Sequence, residues 1–492
     1  MRAVRIRDTL SGELRELDPA REVGIYACGP TVYSRIHIGN ARPFVVFSLF
    51  ARFLRAEGYR ARLVINVTDV NDKIYAAAAQ AGEPSDRFAA RMTRAYVEDT
   101  DRLGLGRPDA EPLATETIDG IVALIEELVE AGHAYESGGD VYFRVRSFEG
   151  YGKLSNRRFE DMDQGEDAGS ASLKEDPLDF ALWKAHKAGE DTSWDSPWGR
   201  GRPAWHIECS VMAERELGAE FAIHGGGSDL VFPHHENEIA QSQAAGRPFA
   251  RIWMHNGMVE MDAAKMSKSE GNIFQLSTAL DRYGREAVIA YLISGHYRQP
   301  IAFGDAQMRE AAARVERLRN FFRSVEGEAP AEGEPGERTR GGGESGNPPA
   351  GEVFVLGDSP DSPSGGVGSP GSPTRSGTAG RRLEAFKDAL ADDFNTPRAM
   401  AEAFELVGEA NRGEVPAPAA AAALREMLRL VGLESLAEGE GGADAEAREL
   451  LAERERARAE RDFERADAIR DRLAEMGWEV RDSPEGPRLV RR

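Results

Sequence analysis

The stretch that decides the fold is residues 23–68, VGIYACGPTVYSRIHIGNARPFVVFSLFARFLRAEGYRARLVINVT. Its first six residues form a short apolar run that ends at a Gly-Pro pair, which is typical of a buried strand. Residues 41–56 follow with a long helical pattern that stops at Gly58. Residues 62–68 are again strand-like. The order strand, helix, strand predicts a βαβ unit with parallel strands and a right-handed crossover.

The same alternation continues along the chain. Further strand candidates are residues 141–145, 221–224 and 251–256, and helical patterns such as residues 118–131 lie between them. This order predicts an open α/β sheet with binding loops at the carboxyl ends of its strands. From about residue 309 the pattern turns helical, with predicted helices at residues 381–391, 397–410, 417–431 and 443–476.

Composition narrows the class of protein. The 492 residues carry a net charge of −22, which argues against nucleic-acid binding by bulk charge, so a nucleic-acid partner must use local basic patches. Two cysteines exclude a disulfide-rich secreted scaffold. Because the chain has neither an apolar signal core nor a run of about 18 apolar residues, we expect a cytoplasmic protein without a membrane span. Residues 327–380 are rich in Gly, Pro and Ser and predict a disordered spacer.

Residues 28–40, CGPTVYSRIHIGN, lie between the first predicted strand and the helix. Backbone N–H groups and a helix N-terminus favour bound phosphate at such a junction. Gly39 permits close backbone approach, and His37 can donate to a phosphoryl oxygen. A simple turn with a capping histidine explains the same spacing equally well.

A second stretch, KMSKS, occupies residues 265–269. Lys265 and Lys268, with small hydroxyls beside them, suit a loop that wraps a triphosphate and stabilises the charge of departing pyrophosphate. Two lysines at this spacing are also common on protein surfaces, so the stretch by itself is weak evidence.

A third set consists of residues that ligate metals. His234 and Glu238 are four residues apart, on one face of a predicted helix, and Cys28 and Cys209 are the only cysteines. Two thiolates, an imidazole and a carboxylate form a plausible tetrahedral zinc set. From the residues alone, two buried core cysteines and a solvated helix start are the more ordinary interpretation.

Together, these residues resemble the class I aminoacyl-tRNA synthetases, and within them the cysteinyl branch. HIGN at residues 37–40 is similar to the first signature of the class, and KMSKS matches the second letter for letter. Residues 28–33 (CGPTVY), 205–210 (WHIECS) and 224–238 (HGGGSDLVFPHHENE) resemble the cysteinyl branch. Asn40 at the fourth signature position and Glu270 after the second signature depart from the common pattern.

The resemblance implies a reaction and a set of roles. Cysteine is activated with ATP as an adenylate and transferred to the 3′ end of its tRNA, and one zinc ion per chain selects the thiolate over the hydroxyl of serine. Mg²⁺ accompanies ATP. The implied zinc ligands are Cys28, Cys209, His234 and Glu238; the catalytic residues are His37, Asn40, Lys265 and Lys268; Gly39, Asp229 and Ser267 join these four in binding ATP; and Thr68, Trp205, His206 and His224 line the cysteine pocket.

The resemblance also implies a domain order. A Rossmann-type parallel-sheet catalytic domain at residues 1–308, with an inserted segment that contacts the tRNA acceptor end, precedes a helical connector at 309–326 and the spacer. An all-helical anticodon-binding region follows, with a bundle at 381–440 and an end region at 441–492. The expected partners are the cysteine tRNA, ATP and L-cysteine, and the expected state is a monomer. Trp478 either stacks on an anticodon base or lies in a core.

Two other functions fit parts of this pattern. The paralogous cysteine ligase of mycothiol synthesis shares the activation chemistry but lacks an anticodon module, whereas this chain continues for about 110 residues past the spacer. A catalytically inactive tRNA-binding paralog has no need of both signatures and four metal ligands.

Overall fold

A computed structural model describes residues 1–162, 172–261, 274–326, 375–437, 445–459, 462–483 and 486–491 of the chain. The strands are β1 (Arg5–Arg7), β2 (Leu14–Glu16), β3 (Val23–Ala27), β4 (Ala61–Ile65), β5 (Ala134–Ser137), β6 (Asp140–Phe143), β7 (Phe180–Ala185), β8 (Gly201–Pro203), β9 (Glu220–Gly227), β10 (Phe249–Asn256), β11 (Val259–Met261), β12 (Ile301–Phe303), β13 (Trp478–Ser483) and β14 (Gly486–Arg491). The helices are α1 (Ile38–Ala56), α2 (Asp72–Ala81), α3 (Ser85–Asp101), α4 (Ile118–Glu130), α5 (Trp205–Leu217), α6 (Glu236–Ala244), α7 (Leu276–Tyr283), α8 (Arg285–Leu292), α9 (Asp305–Glu326), α10 (Arg375–Ala391), α11 (Thr396–Asn411), α12 (Ala417–Leu430), α13 (Ala445–Ala459) and α14 (Phe463–Glu475).

A parallel sheet in the order β10–β9–β3–β4 forms the centre of the N-terminal region. The predicted βαβ unit is confirmed, because β3 and β4 pair in parallel and α1 connects them. Helix α1 begins at Ile38, three residues earlier than predicted, because His37 caps it. Strand β4 ends at Ile65, and the rest of the predicted strand joins the loop after β3 through a bridge between Thr31 and Thr68. This bridge brings two loops together at the carboxyl edge of the sheet.

An antiparallel sheet, β5–β6–β7–β8, is inserted between β4 and β9. Its strands and helix α4 have a hydrophobic core of their own, which includes Ile125, Phe143 and Trp183. The chain returns from β8 directly into α5 and then into the central strand β9. The insertion therefore begins and ends near the carboxyl edge of the parallel sheet.

Helices α9 to α12 pack against the catalytic region through a shared hydrophobic core. Phe394, between α10 and α11, contacts Phe50 and Phe53 of α1, with ring centroids 5.2 and 6.5 Å apart. Helix α10 begins at Arg375, six residues inside the segment predicted as a spacer. The remainder of that predicted spacer, residues 327–374, lies outside the described residues.

The C-terminal end differs from the prediction in two respects. The helix predicted at residues 443–476 is two helices, α13 and α14, and Asp462 caps the second by accepting a hydrogen bond from the backbone N–H of Arg465. The region predicted as all-helical also contains an antiparallel hairpin, β13–β14. Trp478 is 8% exposed and packs with Ile469, Leu473 and Leu489, so it is a core residue and not a stacking platform.

Candidate adenylation and metal site

The first signature begins where β3 ends. The backbone N–H of Cys28 donates to the carbonyl oxygen of Gly225 in β9 at 2.9 Å, which fixes this cysteine at the carboxyl edge of the sheet. The next residue, Gly29, has no room for a side chain, since a Cβ atom there would lie 1.7 Å from the carbonyl oxygen of Asn66. The backbone of this loop is therefore packed directly against the loop after β4.

His37 caps helix α1 and keeps a donor available. Its Nδ1 accepts hydrogen bonds from the backbone N–H groups of Gly39 and Asn40, at 3.1 and 3.3 Å, and the Asn40 side chain accepts in return from the His37 N–H. Burial lowers the pKa of His37, although Asp229 opposes that change, so the ring is neutral at pH 7. A neutral ring whose Nδ1 accepts carries its proton on Nε2. The two interpretations of His37 are thus compatible, because one nitrogen caps the helix while the other can donate.

The segments that flank the second signature lie against the first. The N–H of Ile38 donates to the carbonyl oxygen of Phe274, and the N–H of Leu276 donates to that of Ile36, both at 3.0 Å. Strand β11 ends on the other side of the KMSKS stretch, at Met261. Lys265, Ser267, Lys268 and Glu270 themselves lie outside the described residues. The described residues that follow the second signature therefore lie beside the helix N-terminus that His37 caps.

The predicted metal ligands meet behind this edge. The sulfur of Cys28 lies 3.8 Å from that of Cys209 and 3.7 Å from Oε1 of Glu238. Nε2 of His234 lies 3.2 Å from the same carboxylate oxygen and makes no hydrogen bond among the described residues. All four side chains are at least nine-tenths buried. Among the described residues, the set whose possible ligand atoms all lie within 4.8 Å of one another is Cys28, His234, His235 and Glu238, so His235 belongs to it, whereas Cys209 adjoins it through Cys28.

Burial sets the charge state of this cluster. It raises the pKa of the Cys28 thiol well above its ordinary value, and the neighbouring Cys209 adds to the effect. Burial likewise raises the pKa of Glu238 and lowers that of His234. Thiol, imidazole and carboxyl groups gathered without a compensating cation are costly to ionise. A divalent ion removes that cost, and the donor set matches the ligands that zinc prefers.

His235 belongs to a chain of hydrogen bonds that ends at Cys28. Its Nε2 lies 3.3 Å from the sulfur of Cys28, and its Nδ1 lies 2.7 Å from Nε2 of His255. His255 in turn lies 2.8 Å from the hydroxyl of Thr9. Burial lowers the pKa of both rings, that of His255 to about 3, so both are neutral. Two opposite directions of donation satisfy every atom while Cys28 is a thiol. A metal-bound Cys28 thiolate can only accept, so it selects the direction in which Thr9 donates to His255, His255 to His235, and His235 to Cys28.

Sequence reasoning missed His235 and His255. The doublet His234-His235 is a signal that could have found the first of them. His255 lies within strand β10, where no local pattern marks it. His235 contacts the predicted ligand Cys28, and His255 contacts His235, only through the tertiary fold.

The four predicted pocket residues occupy different depths. Trp205 is 36% exposed, and its ring stacks on His234 with centroids 4.2 Å apart. Thr68 is buried beside the Cys28 loop, where its backbone N–H donates to the carbonyl oxygen of Pro30. His206 and His224 are buried behind the ligands, with His206 Nδ1 2.8 Å from Nδ1 of His234, and His224 Nε2 2.8 Å from Oε2 of Glu238. Only Trp205 of the four has substantial solvent exposure.

Three family models match the chain. The model described as tRNA synthetases class I (C) catalytic domain matches residues 15–313. The DALR domain matches residues 385–433, and the Cysteinyl-tRNA ligase anticodon binding domain matches residues 440–487. Among the described residues, no helix has the length and apolar character needed to cross a membrane.

Individual relatives agree with the family models. The cysteine–tRNA ligase of Rubrobacter xylanophilus is 41% identical over the full length of both chains. That of Alkalilimnicola ehrlichii is 44% identical and covers 98% of each chain. Among solved structures, the methionyl-tRNA synthetase of Mycobacterium tuberculosis in complex with methionyl-adenylate has a TM-score of 0.60 at 14% identity, covering 85% of this chain and 93% of that one. This structural likeness identifies the fold.

Proposed function

Because the chain belongs to the cysteinyl-tRNA synthetase family and joins L-cysteine to tRNA, we propose that it recognises cysteine at a zinc site built from Cys28, Cys209, His234 and Glu238. The observation that carries the proposal is the convergence of these four buried donors from three separate parts of the chain. When bound, zinc supplies a soft Lewis-acid centre that accepts the thiolate of cysteine and discriminates against the hydroxyl of serine. Packing alone would separate two side chains of such similar size by only a few kcal/mol.

The surrounding histidines hold the ligands in place. With the metal bound, the Glu238 carboxylate and the Cys28 thiolate can only accept, so His224 donates to Glu238 and His235 donates to Cys28 at the end of the chain that begins at Thr9. Hydrogen bonds of this kind fix the orientation of metal ligands. We therefore assign His235 to the support of Cys28 and retain His234 as the imidazole ligand.

The cysteine pocket opens at Trp205. This exposed indole covers the imidazole of His234 and forms the outer wall of the proposed pocket. Thr68 and His206 line its inner side, where Thr68 adjoins the Cys28 loop and His206 contacts His234. A bound cysteine would extend from the sulfur site toward the capped end of α1.

Activation joins cysteine to ATP. A carboxylate oxygen of cysteine attacks the α-phosphorus of ATP, and pyrophosphate leaves. His37 donates from Nε2 to a phosphate oxygen, while Gly39 and Asn40 present the N-terminus of α1, which favours negative charge. Lys265, Ser267 and Lys268 act from the stretch whose following residues, Phe274 and Leu276, bond to the backbone beside the first signature, and Lys268 stabilises the charge that develops on the phosphates. Asp229 faces the adenosine, and Mg²⁺ accompanies the triphosphate.

Transfer completes the reaction. The terminal ribose hydroxyl of tRNA attacks the carbonyl carbon of the adenylate, which releases AMP. The helices from α10 onward and the C-terminal hairpin provide the tRNA-binding region. We propose a monomer in the cytoplasm; the two free, buried cysteines are consistent with a reducing compartment.

Neither alternative function is favoured. The curated ligases cover the whole chain, including the anticodon-binding domain that the amino-sugar ligase lacks. Charging of cysteine tRNA by the purified protein separates the synthetase from both alternatives.

The zinc proposal is tested by metal content and substrate choice together. We expect one zinc per chain by mass spectrometry, and its loss in Cys209→Ser. Ser210→Ala is the matched control, because this neighbour on α5 is equally buried and its hydroxyl donates to Gln241 outside the donor set. Cysteine, and not serine, should support ATP–pyrophosphate exchange. Metal-free protein that still rejects serine fully would contradict the proposal.

A further inference from the structure

A cationic cavity lies at the opposite end of α1 from the signatures. It has a volume of about 300 Å³ and is bounded by the C-terminal half of α1, the segment after α3, and helix α12. Arg52 lies fifteen residues after His37, which at 1.5 Å per residue places this cavity about 20 Å from the capped end of the helix. It is therefore distinct from the proposed ATP site.

Four guanidinium groups line this cavity, those of Arg52, Arg55, Arg107 and Arg429, and no acidic residue among the described ones lines it. Each of these groups also has a carboxylate partner that does not line the cavity: Glu434 for Arg52, Asp109 for Arg55, Glu111 for Arg107 and Glu426 for Arg429. Arginine presents several N–H donors in a planar fork that matches phosphate oxygens.

Arg52 and Arg429 are held in place by carboxylates outside the lining and, for Arg52, also by backbone carbonyls of lining residues. Arg52 donates to Glu434 and to the carbonyl oxygens of Arg429 and Leu105, so it ties α1 to the end of α12. Arg429 donates from Nε and Nη2 to Glu426. These bonds fix the guanidinium planes but leave the Nε of Arg52 and the Nη1 of Arg429 without an acceptor among the described residues. The site is therefore organised in advance and retains donors for a ligand.

An independent observation also indicates a missing ligand. Ser48 lines the cavity from α1 and is about nine-tenths buried, yet its hydroxyl has no hydrogen-bond partner within the described part of the chain. Buried hydroxyl groups are nearly always satisfied, because leaving one unpaired is costly. An oxyanion in the cavity would accept from it.

We propose that this cavity binds a phosphate group, which the hydroxyl of Ser48 and the guanidinium groups of Arg52 and Arg429 coordinate where the catalytic region meets α12. The volume is at the small end of ligand sites, which span about 300–1,000 Å³, and so suits a single phosphate and not a long polyanion. The phosphate comes either from free phosphate in solution or from one backbone position of tRNA, and both sources share the same chemistry.

The test is calorimetric titration of the full-length protein with inorganic phosphate at constant ionic strength. We expect Arg429→Gln and Ser48→Ala to weaken binding, the arginine variant by about tenfold, because it removes a charge-assisted hydrogen bond. Arg412→Gln is the matched control. Arg412 holds Glu414 through Nε and Nη2, as Arg429 holds Glu426, but does not line the cavity. This control should bind phosphate like the wild type.

Binding that both variants leave unchanged would place the phosphate elsewhere and overturn the proposal, as would no binding in the wild type. Because Ser48→Ala removes a single oxygen atom, it keeps the test valid if the arginine variant folds poorly. A tRNA titration then identifies the source. If tRNA supplies the phosphate, Arg429→Gln weakens tRNA binding and lowers its salt dependence by about one counterion. If the source is free phosphate, Arg429→Gln weakens phosphate binding alone.

Discussion

Asp393→Asn tests how the helical region is attached to the catalytic region. Asp393 is 6% exposed and lies between α10 and α11. One of its carboxylate oxygens accepts from the backbone N–H of Arg7 at 3.0 Å and from the hydroxyl of Tyr297 at 2.8 Å. The other accepts from Nε of Arg298 at 2.7 Å. A single carboxylate therefore connects three points of the catalytic region.

Asparagine changes only the charge and the hydrogen-bond pattern. The backbone φ of Asp393 is +60°, a conformation that asparagine tolerates as well as aspartate. An amide has one oxygen, so whichever way it turns, its NH₂ group faces a donor. The loss of one charge-assisted hydrogen bond should lower the free energy of unfolding by about 2 kcal/mol. We take a value toward the lower part of the usual range for such bonds because the side chain of Arg298 is 41% exposed.

The neighbouring Asp392 provides the control. It pairs with Arg5, and both side chains are more than 40% exposed, so Asp392→Asn should cost less than about 1 kcal/mol. Urea unfolding followed by circular dichroism measures both changes from the shift in midpoint. Pyrophosphate exchange supplies a functional readout, since the carbonyl oxygen of Tyr297 accepts from the N–H of Gly257, at the end of β10. We expect a raised KM for ATP in Asp393→Asn alone. Equal losses of stability in the two variants would refute this reasoning.

Three further outcomes are expected. Zinc affinity, measured by chelator competition, should rise by more than about tenfold per pH unit between pH 6 and 8. The reason is that Cys28 and Glu238, whose pKa values are raised, hold protons that the metal must displace. An affinity that does not depend on pH would show that these groups are not ligands. Gly29→Ala should lower the melting temperature and abolish exchange, since its Cβ would collide with a neighbouring backbone carbonyl, whereas Gly380→Ala in α10 has open space and should be neutral or stabilising. Lys268→Ala should slow pyrophosphate exchange by about 10²-fold or more while leaving cysteine binding nearly intact, and weakened cysteine binding with normal turnover would mean that its role is misassigned.

Local patterns predicted the elements of the fold but not their ends. The period of the hydrophobic residues and the positions of the turn residues are sufficient to predict β3, α1 and β4, because the apolar runs of these elements are long and sharply bounded. The start of α1 was predicted three residues too late, although a capping His37 was one of the two interpretations, because Gly39 and Asn40 have low helix propensity. The non-helical Asp462 was missed because most of the residues around it are good helix formers. The burial of Trp478 depends on a hairpin and two helices that meet only in the tertiary structure.

The candidate site shows more sharply where local reasoning ends. The sequence places Cys28 after one predicted strand (β3) and His234 and Glu238 after another (β9). It does not indicate that β3 and β9 are neighbours in the sheet. In the structure, β3 lies directly beside β9, with Ala27 opposite Gly225, so the residues that follow each strand emerge side by side. Helix α5 begins at the same edge before the chain crosses back into β9, which brings Cys209 to the same place. Sheet order, not spacing along the chain, is therefore what turns two ordinary buried cysteines into a candidate metal site.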